Sequence, residues 1–182
     1  MKKEIEARLL DVDVESFREK LDKANAQFVG DWLQMRYCYD FNPARENSWI
    51  RLRTNGKDTT LTIKEIGDAR IDGTKESEVV VSDFDTTNEI LEKLGYVARS
   101  KQENRRIRYV LDDVEVDIDI WPMIPPYVEF EAASEDLIRR CVEKLGIDFD
   151  LLVTLDVQSV YEHYGIDILS IDELKLEDGR EK

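Results

Sequence analysis

Alternation of apolar and charged residues is the main pattern along this chain. In residues 3–10, the charged side chains of Glu4, Glu6 and Arg8 alternate with apolar ones. Successive side chains of a strand point to opposite faces, so the pattern predicts a strand with one apolar and one ionised face. Seven further segments have strand character, at residues 35–40, 48–53, 59–64, 74–82, 104–111, 114–121 and 127–132.

Apolar residues at helical spacing occupy most of the gaps between these strands. The spacing predicts helices over residues 12–25, 86–94, 134–145 and 157–164. The third begins at Ser134, a good N-cap residue, and ends before Gly146. Asn55-Gly56-Lys57 and Asp112-Asp113 predict tight turns between strands. We expect one domain over residues 1–171, followed by a charge-rich, frayed tail over residues 172–182.

Two barrel arrangements are compatible with eight mostly antiparallel strands. The apolar faces could point inward, or the charged faces could line a tunnel while helices cover the apolar outer faces. Each predicted helix has an apolar stripe that needs a partner, and the apolar strand faces are the largest ones available. The sequence therefore predicts an α+β fold: a closed, eight-stranded antiparallel barrel with a charged interior and helices packed on the outside.

Composition narrows the classes of function. The chain has 182 residues, of which 41 are acidic and 26 basic, giving a formal net charge of −15. Such a charge repels nucleic acids and anionic membranes, so neither is expected as a partner. His163 is the only histidine, which makes a histidine-based metal site or a Ser-His-Asp hydrolase hard to build. No signal peptide or transmembrane span is predicted, and Cys38 and Cys141 lack metal-ligand spacing, so we expect a cytoplasmic protein with free thiols.

The predicted inner faces carry both signs of charge. The cations are Arg8, Arg51, Arg53, Lys64, Arg106 and Arg108. The anions are Glu4, Glu6, Glu76, Glu78, Glu115, Asp117, Asp119, Glu129 and Glu131. Convergent arginines suit a polyphosphate, whose oxygens match the guanidinium fork, and clustered carboxylates suit Mg²⁺ or Mn²⁺. Any single pair is more often a solvated strand face, and only the repetition over eight strands favours a binding site.

Several short motifs resemble, in order, those of the CYTH domain, the triphosphate tunnel metalloenzymes. The family includes class IV adenylyl cyclases, thiamine triphosphatases and inorganic triphosphatases. The opening Glu4-Ile-Glu6-Ala-Arg8 is similar to the family's Glu-x-Glu-x-Lys signature, with arginine in place of the usual lysine. The resemblance continues through Tyr37-Cys-Tyr39-Asp40, Arg51-Leu-Arg53, Thr62-Ile-Lys64, Glu76-Ser-Glu78, Arg105-Arg106-Ile-Arg108 and Glu129-Phe-Glu131.

The resemblance implies an eight-stranded tunnel with specific roles for these residues. The first and last Glu-x-Glu pairs would hold the metal, here Glu4, Glu6, Glu129 and Glu131. Basic residues would clamp a triphosphate, here Arg8, Arg51, Arg53, Lys64 and Arg106, with Arg108 as a further candidate. Four other inner carboxylates are additional candidate metal ligands: Glu76, Glu78, Asp117 and Asp119. A second departure from the family pattern is Asn104, where relatives often carry a basic residue.

The leading hypothesis is an enzyme that hydrolyses a triphosphate with Mg²⁺ or Mn²⁺. The substrate could be tripolyphosphate, thiamine triphosphate or a nucleoside triphosphate. Two alternatives stay open: a class IV adenylyl cyclase, which converts ATP to cyclic AMP and pyrophosphate, and a non-catalytic binder of triphosphate or polyphosphate. The expected partner is a small-molecule triphosphate, and a homodimer is left open.

Overall fold

The described residues form one nine-stranded sheet and four α-helices. The computed structural model describes residues 2–67, 71 and 74–176, without the side chains of residues 2–4. The strands are β1 (Lys2–Leu9), β2 (Gln27–Asp40), β3 (Ser48–Thr54), β4 (Thr59–Ile66), β5 (Thr74–Val81), β6 (Ala98–Leu111), β7 (Val114–Ile120), β8 (Tyr127–Ala132) and β9 (Glu173–Leu174). The helices are α1 (Val14–Lys23), α2 (Phe84–Lys93), α3 (Glu135–Lys144) and α4 (Val157–His163).

The first eight strands close into a ring. Their order is β2-β3-β4-β5-β1-β8-β7-β6, and β6 pairs back with β2. Every pairing within this ring is antiparallel. The eight-stranded antiparallel barrel predicted from the sequence is therefore confirmed.

Local sequence signals set the helix and turn boundaries. The side chains of Asp13, Asp83 and Ser134 each accept a hydrogen bond from a backbone N–H of the first helical turn. Gly146 follows α3 with φ of +70°, a conformation in which glycine is favoured because it has no Cβ. The predicted helices are all present, each within two residues of its expected limits.

Two strands are longer than their alternation suggested. β2 was predicted only from Met35 and β6 only from Asn104. They instead pair with each other along almost their whole length, with a register shift between Phe28 and Gly30. The irregularity interrupts the period-2 pattern, and only the tertiary pairing reveals the full strands.

The segment predicted as a frayed tail begins with an ordered strand. Strand β9 pairs in parallel with Lys101 and Gln102 of β6. The reason is the side chain of Leu174, which is buried with Trp121 and Tyr161. The part of the predicted tail from residue 177 onward lies outside the described residues.

The apolar cores lie outside the barrel wall. Helices α1 and α3 contribute Phe17 and Ile138 to the largest cluster, where they meet Ile118 and Phe130 of the sheet. Helix α2 packs on β3 through Leu91. Inside the ring, polar side chains are buried instead, among them Thr62, Asn104 and Asp119. The predicted inverted arrangement, with a charged interior, is the one that forms.

Candidate functional site

A cavity of about 460 Å³ occupies the inside of the barrel. Its volume lies within the usual range for small-molecule sites. Side chains from each of the eight ring strands line it, because every second residue of a strand points to the inside of the barrel. Among the lining residues are all the predicted cations and most of the predicted carboxylates, namely Arg8, Arg51, Arg53, Lys64, Arg106, Arg108, Glu6, Glu76, Glu78, Glu115, Glu129 and Glu131.

Two predicted metal ligands, Asp117 and Asp119, do not reach the cavity surface. Asp119 is fully buried, and Asp117 is 3% exposed. Both Arg106 and Arg108 donate to Asp117, with oxygen–nitrogen distances of 2.6 to 2.7 Å. These two carboxylates therefore position the two guanidinium groups from within the barrel wall and not from the cavity. The side chain of Glu4, the remaining predicted ligand, lies outside the described part of the chain.

Arg106 is the centre of a buried network of carboxylates. Its guanidinium donates to Asp117 at 2.6 Å and to Asp119 at 2.5 and 2.8 Å, and lies 3.3 Å from Glu129. Asn104 donates a further hydrogen bond of 2.9 Å to Asp119. Burial raises the pKa of Asp119 despite the opposing charge of Arg106. The pKa of Arg106 is itself raised, because the three carboxylates outweigh its burial.

Arg8 joins the carboxylate side of the cavity to the C-terminal part of the chain. Its guanidinium donates to Glu129 and to the backbone carbonyl of Leu155, and to Glu6 at 3.2 Å. Burial would raise the pKa of Glu129, but Arg8 and Arg106 hold it well below its usual range. Glu129 is thus ionised at neutral pH and keeps two cations in fixed positions.

The opposite wall of the cavity carries an excess of positive charge. Arg51 donates to Glu76 at 2.8 Å, and Thr62 donates to Glu78 at 2.8 Å. Arg53 lies 3.8 Å from the carboxylate of Glu78. The neighbouring charge of Arg51, followed by burial, lowers the pKa of Arg53 well below its usual range. Arginines that repel one another inside a cavity form a site that favours an anion.

Glutamates on adjacent strands supply oxygen donors for a cation. Glu6 of β1 pairs directly with Glu131 of β8, which pairs directly with Glu115 of β7. Like charges in direct register repel, and a hard divalent cation would relieve this repulsion. In the described part of the chain, no three acidic, histidine or cysteine side chains converge as metal ligands. Carboxylate oxygens are nevertheless the donor type that Mg²⁺ and Mn²⁺ prefer, and Glu6, Glu129 and Glu131 are the residues that would hold such an ion.

Arg36 is a cavity residue that the sequence analysis missed. It lies on β2, is 5% exposed and lines the cavity between Arg53 and Gln102, its partners on the two adjoining strands. The sequence offered one signal for Arg36: it lies two residues before Cys38, so both side chains share one face of the predicted strand. A single arginine among uncharged neighbours gave no alternation of charge to detect.

The sequence also matches a known family over most of its length. A family model described as the CYTH domain matches residues 2–160. The chain belongs to the CYTH domain family. No curated protein sequence matches it. Among the described residues, no helix is long and apolar enough to cross a membrane.

Solved structures share the CYTH fold with this chain. The PH1012 protein of Pyrococcus horikoshii OT3 is 21% identical, with a TM-score of 0.74 over 86% of this chain and 98% of that one. A candidate adenylate cyclase from Vibrio parahaemolyticus is 12% identical, with a TM-score of 0.71 over 88% and 98%. HpAC1 from Hippeastrum, a candidate adenylyl cyclase with a dominant triphosphatase activity, is 15% identical, with a TM-score of 0.61 over 92% and 99%. At these identities the likeness establishes the fold.

Proposed function

We propose that this CYTH protein hydrolyses a triphosphate bound inside the barrel, with the help of Mg²⁺ or Mn²⁺. The observation that carries the proposal is the division of charge within one cavity. One wall carries an excess of positive charge. On the other, the carboxylates of Glu6, Glu129 and Glu131 lie on neighbouring strands, and Glu129 pairs with Arg8 and Arg106. Cations for phosphate oxygens and carboxylates for a metal are the groups that phosphoryl chemistry requires.

The residues around the cavity would have different roles in this reaction. Arg51, Arg53 and Arg106 would bind the phosphate oxygens and neutralise the charge that develops on them during bond cleavage. Asp119, buried behind Arg106, would orient that guanidinium through two hydrogen bonds. A divalent cation, when bound, would polarise the phosphates and lower the pKa of a water molecule. Glu6, Glu129 and Glu131 would hold that cation.

One structural neighbour favours hydrolysis over cyclisation, although the neighbour from Vibrio parahaemolyticus is described as a candidate adenylate cyclase. HpAC1, named as a candidate adenylyl cyclase, shows a dominant triphosphatase activity. We extend that preference to this chain as a proposal. The small-molecule partner is then the triphosphate itself. The cytoplasmic location and the homodimer stay predictions from the sequence.

A product assay tests the proposal directly. The protein is incubated with tripolyphosphate, thiamine triphosphate or ATP, in Mg²⁺, in Mn²⁺ and in EDTA. We expect orthophosphate from at least one substrate with metal and none with EDTA. Cyclic AMP and pyrophosphate from ATP would indicate the cyclase instead. Binding without any product would indicate a non-catalytic binder.

A pair of glutamate variants tests the metal assignment. Glu131→Gln keeps the size of a proposed ligand but removes the charge that a hard cation needs. Glu135→Gln, on the exposed first turn of α3, is the matched control. We expect Glu131→Gln to lose most of the metal-dependent activity while retaining the circular dichroism spectrum of the parent. Equal activity in both variants would exclude Glu131 as a ligand.

A further inference from the structure

Arg36 differs from the other cavity arginines in its partners. Its guanidinium donates to the side-chain amide oxygens of Asn104 at 2.6 Å and of Gln34 at 3.3 Å, both neutral acceptors. Within the described residues it forms no ion pair, and its buried Nε has no hydrogen-bond partner. Arg51 and Arg106, by contrast, share their charge with carboxylates. No described carboxylate therefore contacts Arg36 directly, and Asp119 acts on its charge only across Asn104.

The guanidinium of Arg36 is held in place on an aromatic face. Its central carbon lies 4.5 Å from the ring centroid of Trp121. The edge of Tyr161 in α4 packs against Trp121, and both rings belong to a buried apolar cluster. Because this cluster fixes Trp121, the orientation of Arg36 is set before any ligand arrives. Such preorganisation reduces the entropy lost on binding.

The position of Arg36 places it between two groups of cations. Strand β2 lies between β3, which carries Arg51 and Arg53, and β6, which carries Arg106. Burial, followed by the charges of Arg51 and Arg106, lowers the pKa of Arg36 to about 10. Two strand spacings separate β3 from β6, about 10 Å along the wall. Because the charges of Arg51 and Arg106 both act on Arg36, an anion held between these two groups lies within its reach.

We propose that Arg36 binds the phosphate chain of the substrate directly, between the arginines of β3 and Arg106. This inference rests on the proposed function, since it requires a triphosphate in the cavity. A buried charge without a counter-charge in direct contact is unfavourable, and the phosphate oxygens supply that contact. Arg36 is then a substrate-binding residue, and Trp121 and Asn104 are its positioning residues.

Binding of tripolyphosphate, measured by titration calorimetry in EDTA and again in Mg²⁺, tests this role. Arg36→Gln removes the charge, and Arg36→Lys keeps the charge but loses the planar fork. Arg105→Gln is the matched control, because Arg105 is half-exposed and pairs with Asp31 on the outside of the barrel. We expect Arg36→Gln to weaken binding about tenfold or more, Arg36→Lys by less, and Arg105→Gln to bind like the parent.

The thermal midpoint separates a binding role from a structural one. Without ligand, Arg36→Gln should unfold at the parent's temperature or above, because the substitution removes repulsion from Arg51 and Arg106. With tripolyphosphate, its midpoint should rise less than that of the parent. A lower midpoint without ligand, together with an unchanged affinity, would overturn the inference. A parent that binds tripolyphosphate without hydrolysing it would refute the proposed function alone, and a parent that does not bind it would overturn both.

Discussion

Arg106 is predicted to be essential for stability at neutral pH, whether or not a ligand is present. We consider Arg106→Met, which keeps most of the apolar stem and removes the guanidinium. Asp117 would retain Arg108, and Glu129 would retain Arg8. Among the residues that the structure describes, Asp119 would keep only its hydrogen bond from Asn104. The substitution thus leaves one fully buried carboxylate without a cation in direct contact.

The expected loss of stability follows from the unpaired carboxylate of Asp119. Removing one partner of a buried ion pair costs about 3–5 kcal/mol of unfolding free energy. Arg105 provides a comparison on the same strand, since it faces outward and pairs with Asp31 at 2.7 Å with both side chains partly exposed. An exposed pair contributes about 0.2–1 kcal/mol. Arg106→Met should therefore lose several times as much stability as Arg105→Met.

The loss should also depend on pH in a known direction. The pKa of Asp119 is already raised by burial in the folded protein, and removing Arg106 raises it further. A carboxyl whose pKa is higher in the folded state binds protons more readily when folded, so its contribution to stability falls as the pH rises. The deficit of Arg106→Met should be largest at pH 8 and smaller at pH 5. Adding Asp119→Asn should recover part of it.

Urea unfolding, followed by circular dichroism at pH 5 and pH 8, measures these differences. The double variant Arg106→Met with Asp119→Asn allows the measurement even if the single variant is unfolded at pH 8. Equal losses for Arg106→Met and Arg105→Met would refute the argument. If Arg106→Met loses the same free energy of unfolding at both pH values, Asp119 is not the carboxylate that lost its partner.

Two further predictions concern other buried groups. Arg8→Met removes a buried partner of Glu129 and a donor to the Leu155 carbonyl. Urea unfolding should therefore show a free energy of unfolding about 3–5 kcal/mol lower than that of the parent, and a loss below about 1 kcal/mol would contradict this. Cys38 and Cys141 are buried free thiols, and burial raises the pKa of both, to about 12 for Cys141. Cys141 belongs to the apolar cluster outside the barrel wall, so a thiol reagent at pH 8 should label it in urea but not in the folded protein. Rapid labelling of Cys141 in the folded protein would show its burial to be wrong.

The fold was accessible from the sequence because its pattern is strictly local. In β7, Glu115 alternates with Val114 and Val116, and the pleat turns this alternation into two opposite faces. The apolar stripes of the helices then decided which face points inward. Strand β9 could not be predicted in this way, since Glu173–Leu174 acquires its conformation from β6 and from a distant apolar cluster.

The candidate site was only partly accessible. The charged positions that line the cavity follow from the period of two, but their partners do not. The turn at Asp112-Asp113 sets the register that pairs Arg106 with Asp119, but nothing in the sequence shows that Asn104 and Glu129 complete the same buried network. Arg36 was missed for a related reason. Its importance depends on neutral neighbours and on Trp121, which is brought to it by the closure of the barrel.

The charged interior has a consequence for how stability varies with temperature. Unfolding exposes apolar surface, which raises the heat capacity by about 0.45 cal/mol/K per Å², and polar surface, which lowers it by about 0.26. In most domains the centre is apolar, whereas here the middle of the barrel contributes guanidinium and carboxylate surface. The heat-capacity change should therefore be small for a chain of this length. A small heat-capacity change gives a broad, flat stability curve. The free energy of unfolding should therefore change little on either cooling or heating.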